Sequence, residues 1–451
     1  MIKKILVANR GEIALRIIRA CKDAGIECVA VYSEADETSL HCTQADEAVC
    51  IGSAISAKSY LNMEAILEAA RKTGADAIHP GYGYLAEKHE FAEACANAGI
   101  LFIGPDPENL KLAGDKIACK QIMEKAGIPV IPSGPGEAVD VKEAAKIARD
   151  IGYPVMIKSA GGGGGRGIRI CHDQQKLNDE FPIAKAEARA AFGNGALYIE
   201  KVIEEPRHIE FQILADRFGK IVHLGERECT IQRRYQKLIE ESPSPGLSAK
   251  LREQMGDAAI AAARAIDYFN AGTVEFLLDK NGRFYFIEIN ARIQVEHPVT
   301  EIITGIDLVN EQIRLSDNGK LGASFDSIPK RGWAIECRIN AEDPERNFAP
   351  SPGTIECYRP PGGFGTRLDT HVFQGYELPA FYDSLIAKLI CFSPTRKGAI
   401  AVMRRALDEF ELSPLKTTLA LHRQIMDDPA FIKGDFDSGF MNTFLGDDDD
   451  D

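Results

Sequence analysis

Residues 271–290 read AGTVEFLLDKNGRFYFIEIN, a pattern of two strands around a turn. Asn281-Gly282 is the preferred dipeptide of a two-residue type I′ hairpin turn, in which both central residues take positive φ. In that turn Lys280 pairs with Arg283, and counting outward sets Glu275 directly opposite Glu288. Side chains so opposed stand ~4.5–5.5 Å apart at Cβ, and like charges at that spacing destabilise a sheet. A divalent cation between them removes the conflict, and hard carboxylate oxygens suit Mg²⁺ or Mn²⁺. Asn290, two residues beyond Glu288 on the same face, offers a third oxygen. The lead-in Phe284-Tyr285-Phe286 reads as buried on both faces, so the charges beside it need ligands or partners.

The alternation continues past the hairpin. Glu288, Asn290, Arg292, Gln294 and Glu296 are polar, while Ile289, Ala291, Ile293 and Val295 are apolar. If the segment stays extended, one face carries metal ligands, a guanidinium, an amide and a carboxylate. Residues 333–340 alternate too, and put Arg338 on a polar face. The run Gln232-Arg233-Arg234-Tyr235-Gln236-Lys237 is basic in an acidic protein; alone, a solvated surface explains such a run. His208, two residues after Pro206, is of a kind more often structural than functional.

Gly161 to Gly165, then Arg166 and Gly167, separate the strand-like residues 154–158 (PVMIK) from 168–171 (IRIC). A P-loop needs G-K-[ST] leading into a helix; this is a strand–loop–strand flap. Glycines let the backbone approach a ligand and aim N–H groups at phosphate oxygens, and Lys158 adds a positive charge at the loop's edge. These residues point to Mg²⁺-nucleotide chemistry on a non-P-loop fold, with a small anion received by Lys237 and Arg292.

Upstream, the first 114 residues alternate strand and helix, with Gly25, Gly74 and Gly99 each placed just before a strand. Glycine suits the left-handed residue that closes a helix, and repeated βα units imply a parallel sheet. The first turn, Ala8-Asn9-Arg10-Gly11-Glu12, lacks the G-x-G-x-x-G of a dinucleotide site. Residues 76–84 (DAIHPGYGY) end a strand in a turn rich in glycine and aromatics. Ligands bind at that end of parallel strands, which makes Tyr82 and Gly83 candidates.

The whole chain has 451 residues, about three domains' worth. We expect boundaries at 1–114, 115–329 with a lid at about 131–204, and 330–446, then an acidic tail at 447–451. Acidic residues number 67 against 53 basic, a formal charge of −14, which argues against nucleic acid as a partner. The 11 cysteines include no C-x-x-C pair, so neither a zinc cage nor a dithiol centre is signalled. No stretch approaches the ~18 apolar residues of a membrane span, and no secretory h-region opens the chain. A cytoplasmic protein without a membrane partner is the expectation.

Taken in order, KILVANRGEIA from Lys4, HPGYGYLAE from His79, KSAGGGGGRGIRI from Lys158, HIEFQIL from His208, GERECTIQRRYQK from Gly225, FIEINARIQVEHPVTE from Phe286 and AIECRINAEDP from Ala334 resemble the biotin carboxylase family of the ATP-grasp superfamily. The resemblance covers nearly the whole chain. It implies an α/β fold: an N-terminal Rossmann-like parallel-sheet domain, a central ATP-grasp domain with a mobile glycine-rich lid, and a C-terminal α+β domain. It implies ATP- and bicarbonate-dependent carboxylation of biotin, with Mg²⁺ or Mn²⁺, two ions in all, and biotin presented as a carrier-bound substrate.

Residue by residue, the resemblance implies ATP contacts from Lys116, Lys158, Gly163, Gly164, Gly165, His208, Gln232 and Tyr235, and an adenine hinge at Glu200, Lys201, Val202 and Ile203. Glu275, Glu288 and Asn290 match metal ligands; Lys237, Arg292, Gln294 and Val295 match the bicarbonate pocket. Glu296 matches the base that deprotonates bicarbonate, and Arg338 the residue that stabilises the enolate of biotin, near Tyr82 and Gly83. Three positions depart from the family: Tyr235 stands for a usual His, Ala291 for a usual Thr, and Ser413-Pro414-Leu415 for a Gly-Ile or Gly-Val step. A homodimer is implied, with Arg19, Phe364 and Arg367 matching the contact and Asp23 shortening a usual Glu. The implied partners are a biotin carboxyl carrier protein and carboxyltransferase subunits. No Met-Lys dipeptide of a biotin-accepting turn occurs, so the carrier is expected on another polypeptide. Two other readings compete: another ATP-grasp carboxylate ligase, and a catalytically silent ATP-binding regulatory subunit.

Overall fold

The computed structural model describes residues 1–159, 168–192 and 195–446. The first sheet holds β1 (Lys4–Val7), β2 (Glu27–Tyr32), β3 (Glu47–Cys50), β4 (Ala77–His79) and β5 (Leu101–Phe102), ordered β3-β2-β1-β4-β5. Every pairing is parallel, as the βα rhythm predicts. Gly25, Gly74 and Gly99 all sit at φ of +68° to +71°. Helix α1 (Gly11–Asp23) buries Ile13, Ile17, Ile18 and Cys21 against this sheet. Just before it, the Asn9 amide donates to the Pro80 and Tyr82 carbonyls at 2.7 and 2.8 Å, fixing the turn that carries Tyr82.

A small antiparallel sheet, ordered β7-β6-β8, is formed by β6 (Val155–Ser159), β7 (Arg169–Cys171) and β8 (Leu197–Lys201). The flanking strands of the glycine run therefore pair as expected; Gly163, Gly164 and Gly165 themselves lie outside the described residues. Helices Val141–Ile151 and Gln174–Phe192 cover this sheet and give it its own core, including Ala144, Ile157, Leu177 and Ile199.

The largest sheet has eight strands. Its first six are β13 (Phe284–Asn290), β12 (Asn270–Leu278), β9 (Arg207–Ala215), β10 (Ile221–Arg233), β11 (Gln236–Ser242) and β14 (Trp333–Asn340), followed by Leu385–Ser393 and Thr366–Thr370. Ile209, Phe211, Val274 and Phe276 pack on one face against helix Ala249–Ala265. The alternate residues His208, Glu210, Gln212, Thr273 and Glu275 point the other way. Because β11 pairs with β14 (Ile239 to Cys337, Glu240 to Glu336), the sheet runs without a break from the middle of the chain into its last third. Among the described residues no helix is long and apolar enough to cross a membrane.

The deciding hairpin differs from the sequence reading in two ways that cancel. The turn is one residue longer: Asp279 N–H donates to the Arg283 carbonyl at 2.8 Å and Gly282 N–H to the Asp279 carbonyl at 3.0 Å. Lys280-Asn281-Gly282 thus forms a three-residue loop with Gly282 at φ +77°, the type I turn plus left-handed residue of longer hairpins. Phe276 then pairs with Phe286, but a bulge follows and returns Glu275 opposite Glu288. Ile287 is the extra residue that corrects the register.

Two further expectations need correction. β13 is an edge strand, so only Phe286 is buried, while Phe284 and Tyr285 are half-buried. The polar face beyond Asn290 is not an extended strand. β13 ends at Asn290, and the chain turns into helix His297–Thr304, which Pro298 in its first turn favours. Ala291 and Ile293 are still buried, but so are Gln294 and Glu296, while Val295 is only half-buried, so the alternation does not carry through to the helix.

Candidate active site

The three layers enclose a cavity of about 1210 Å³. Its lining includes Tyr82, Gly83, Lys116, Lys158, His208, Gln232, Tyr235, Lys237, Glu275, Glu288, Asn290, Arg292, Gln294, Val295, Glu296 and Arg338. Residues separated by more than 250 positions thus meet at one place. Glu200, Lys201, Val202 and Ile203 are not among its lining residues. Lys201 Nζ is held by the Gly152 and Tyr153 carbonyls at 3.1 and 2.7 Å, and Val202 N–H donates to the Pro154 carbonyl.

The centre is a buried ion cluster. Lys237 Nζ lies 2.6 Å from Glu210, 2.7 Å from Glu296 and 3.0 Å from Glu275. Glu296 gives its other oxygen to Arg338 Nη2 at 2.9 Å, and Arg338 Nε donates to Glu240 at 2.6 Å. Burial works against every charge here, and the balance decides each one. Burial pushes Glu296 up, but Lys237, Arg338 and Arg227 outweigh it and hold the carboxyl below the usual range. Burial dominates at Glu240, whose carboxyl is pushed up to about 7 although Arg338 opposes the shift. Burial lowers Lys237, yet Glu210, Glu275 and Glu296 keep its ammonium charged far into the alkaline range. Glu296 is thus held as a carboxylate between two cations.

Glu275 is likewise well below the usual carboxylate range: burial raises it, and Lys237 and His208 prevail. His208 Nε2 stands 2.9 Å from Glu275 Oε2, so this histidine is part of the cluster rather than a scaffold residue. Lys116 Nζ meets Glu288 at 2.8 Å. The positive charge that two opposed carboxylates require is present as these lysines. The Asn290 amide donates to Glu275 at 2.8 Å, and its Oδ1 accepts from Arg292 at 3.0 Å. Glu275, Glu288 and Asn290 thus offer hard oxygens from facing strands, a donor set that fits Mg²⁺ or Mn²⁺. The donor atoms of His208, Glu210 and Glu275 also lie within 4.8 Å of one another.

At the Lys158 end, Glu200 bridges Lys120 and Lys158, each at 2.5 Å. Its carboxylate is thereby committed to the lysines. At the opposite end, the Tyr82 hydroxyl donates to Glu12, Glu12 meets Lys388 at 3.1 Å, and Lys388 Nζ donates to the Val295 carbonyl at 3.0 Å. Arg234 and Tyr235 take φ of +47° and +63° in the tight turn between β10 and β11, which leaves Tyr235 half exposed at the cavity rim.

Glu12, Lys120, Glu210, Arg227, Glu240 and Lys388 were not singled out from the sequence. The alternation in HIEFQIL could have placed Glu210 beside His208 on one face. The others find their partners only in the folded chain: Glu12 and Lys120 reach theirs from helices, and Arg227, Glu240 and Lys388 from strands of the large sheet.

Family profiles account for this architecture. Residues 1–110 match "Biotin carboxylase, N-terminal domain", residues 115–324 match "Carbamoyl-phosphate synthase L chain, ATP binding domain", and residues 336–443 match "Biotin carboxylase C-terminal domain". The chain belongs to the biotin carboxylase family. A biotin carboxylase of Nostoc sp. is 55% identical over 97% of this chain and 98% of its own. The biotin carboxylase of Campylobacter jejuni, solved with a β,γ-ATP ligand, superposes with a TM-score of 0.96 at 48% identity, over 98% and 99% of the two chains. The dimeric biotin carboxylase domain of Hydrogenobacter thermophilus 2-oxoglutarate carboxylase, solved with MgADP, ADP and bicarbonate, gives 0.95 at 50% identity over 99% of each chain.

Proposed function

We propose that the chain uses ATP to carboxylate biotin with bicarbonate, as the first half-reaction of a multisubunit biotin-dependent carboxylase. The observation that carries this reading is Glu296, ionised and gripped by Lys237 and Arg338 inside one cavity. Lys237, Arg292, Gln294 and Val295 hold bicarbonate. Glu296 takes its proton, and the freed oxygen attacks the γ-phosphate of ATP, displacing ADP and giving carboxyphosphate. Lys116 and Lys158 offset the charge of the transferring group. A divalent cation bound by Glu275, Glu288 and Asn290 supplies further neutralisation of phosphate charge.

Carboxyphosphate then yields CO₂ and phosphate in a site shielded from water. That phosphate deprotonates the ureido nitrogen of biotin, Arg338 stabilises the resulting enolate beside Tyr82 and Gly83, and the nitrogen attacks CO₂ to give carboxybiotin. The lid closes over the nucleotide, which Glu200 to Ile203, His208, Gln232 and Tyr235 bracket. Biotin arrives on a separate carrier protein and leaves to a carboxyltransferase subunit, and the enzyme works in the cytoplasm as a homodimer.

The test is phosphate release from MgATP with and without bicarbonate, and carboxybiotin formation with free biotin. Turnover that needs bicarbonate and yields carboxybiotin is expected. ATP cleavage driven by some other carboxylate would instead mark a different ATP-grasp ligase. ATP binding without turnover would mark a regulatory subunit.

A further inference from the structure

Arg227, on β10, is fully buried and does not line the cavity. Its guanidinium has five N–H donors and no acceptor, and all five are matched. Nε donates to Glu210; Nη1 donates to Gln212 Oε1 at 2.7 Å and Thr300 Oγ1 at 3.1 Å; Nη2 donates to Thr273 Oγ1 at 3.1 Å and Gln294 Oε1 at 2.7 Å. The acceptors come from β9, β12, helix His297–Thr304 and the segment after β13. The guanidinium therefore locks four pieces of chain to one plane.

The contact to Gln294 has a chemical consequence. A primary amide presents a carbonyl at one end and an NH₂ at the other, and the two are nearly isosteric. A pure donor accepts only the carbonyl end. Gln294 must therefore turn Oε1 inward to Arg227 and Nε2 outward, where it donates to Glu275 at 2.7 Å on the wall of the cavity. We infer that Arg227 is a positioning residue that holds the Gln294 amide with its N–H donors towards the bicarbonate pocket. The inference rests on the reading of Gln294 given above. N–H groups at the pocket's edge suit the two unprotonated oxygens of bicarbonate, while its hydroxyl faces the Glu296 carboxylate. The flipped amide would present a carbonyl and repel those oxygens.

The experiment is steady-state phosphate release by the full chain, with bicarbonate varied at saturating MgATP. Arg227→Lys keeps a cation beside Glu210 but cannot also hold Gln294. We expect the bicarbonate KM to rise about ten-fold or more, the weight of one lost charge-assisted hydrogen bond, with the MgATP KM unchanged. In a Gln294→Leu background the same substitution should leave the bicarbonate KM where it is, because the amide it acts through is gone. An unchanged bicarbonate KM in Arg227→Lys overturns the inference, as does an equal rise in the Gln294→Leu background. A parallel change of both KM values with a lower melting temperature would mean a purely structural role and overturns it too. Should Arg227→Lys fail to fold, the shorter and uncharged Arg227→Gln takes its place, read in the wild-type and Gln294→Leu backgrounds alike. A bicarbonate KM raised in the first alone supports the inference and an unchanged one overturns it. A wild-type chain whose ATP cleavage ignores bicarbonate overturns the functional reading, and this inference with it.

Discussion

Arg338 and Glu296 are in direct contact, Nη2 to Oε2 at 2.9 Å. The group proposed to stabilise the biotin enolate thus touches the group proposed to deprotonate bicarbonate. The two halves of the reaction share an ion pair, and loss of either partner reaches both substrates.

Glu296→Gln keeps the shape and removes the charge. It should cut bicarbonate-dependent ATP cleavage and biotin carboxylation together, by at least the ~10²-fold of a lost general base. A kcat near that of wild type would remove Glu296 from the role.

Chelation should abolish ATP cleavage, and Mg²⁺ or Mn²⁺ should restore it. Glu288→Gln replaces a charged ligand with a neutral one and also frees Lys116. The metal concentration for half-maximal rate should rise about ten-fold or more, in the range seen when metal sites are weakened. Metal titration of ATP cleavage in the two proteins reads this out.

The Arg10–Asp36 pair makes a prediction about pH. Arg10 donates to both Asp36 oxygens at 2.6 and 2.7 Å, and Tyr60 adds a third bond at 2.6 Å. Burial raises the Asp36 pKa, but Arg10 and Tyr60 win and lower it overall. A carboxyl lowered on folding stabilises the fold above its unfolded pKa of ~3.9 and loses that contribution as pH falls through the folded value. Asp36→Asn should cost ~3–5 kcal/mol near neutral pH, because it leaves Arg10 buried without its partner. The gap in melting temperature to wild type should narrow as pH falls below that range. Thermal melts across acidic and neutral pH give both results.

Phe364 is 91% exposed and lies close to Arg367, whose guanidinium is already tied to Asp369 and Glu301 at 2.7 Å each. An apolar ring left this bare fits a contact between copies. Phe364→Glu should shift the proposed dimer towards monomer in light scattering, with little change in melting of the monomer fold. A variant as dimeric as wild type would place the contact elsewhere.

Local signals in the sequence carried far, and their failures are instructive. The βα rhythm and its closing glycines predicted the parallel sheet because each is set within a few residues. The hairpin count reached the right pair, Glu275 and Glu288, through a turn one residue too short and a bulge it did not foresee. Turn length and bulge depend on the backbone of both strands together, and Asn-Gly alone does not fix them. Phe284 and Tyr285 read as doubly buried because aromatic runs favour interiors. Whether a strand lies at an edge is decided by partners the run cannot name. Glu240 and Glu336 were invisible as a pair because their opposition arises only when β11 meets β14.

The unbroken sheet has a consequence for how the chain can be divided. Family boundaries fall at 324 and 336, yet β11 and β14 are hydrogen-bonded neighbours across that gap. A fragment ending between them would leave the β11 edge bare, with a row of backbone donors and acceptors ready to recruit a foreign strand. The converse fragment would begin with β14, robbed of the template it lies on. Arg338 on that strand would lose Glu240 and Glu296, its partners from the other piece. The profile boundary is thus a seam in sequence but not a fracture plane in the material, and the two pieces should melt as one cooperative unit.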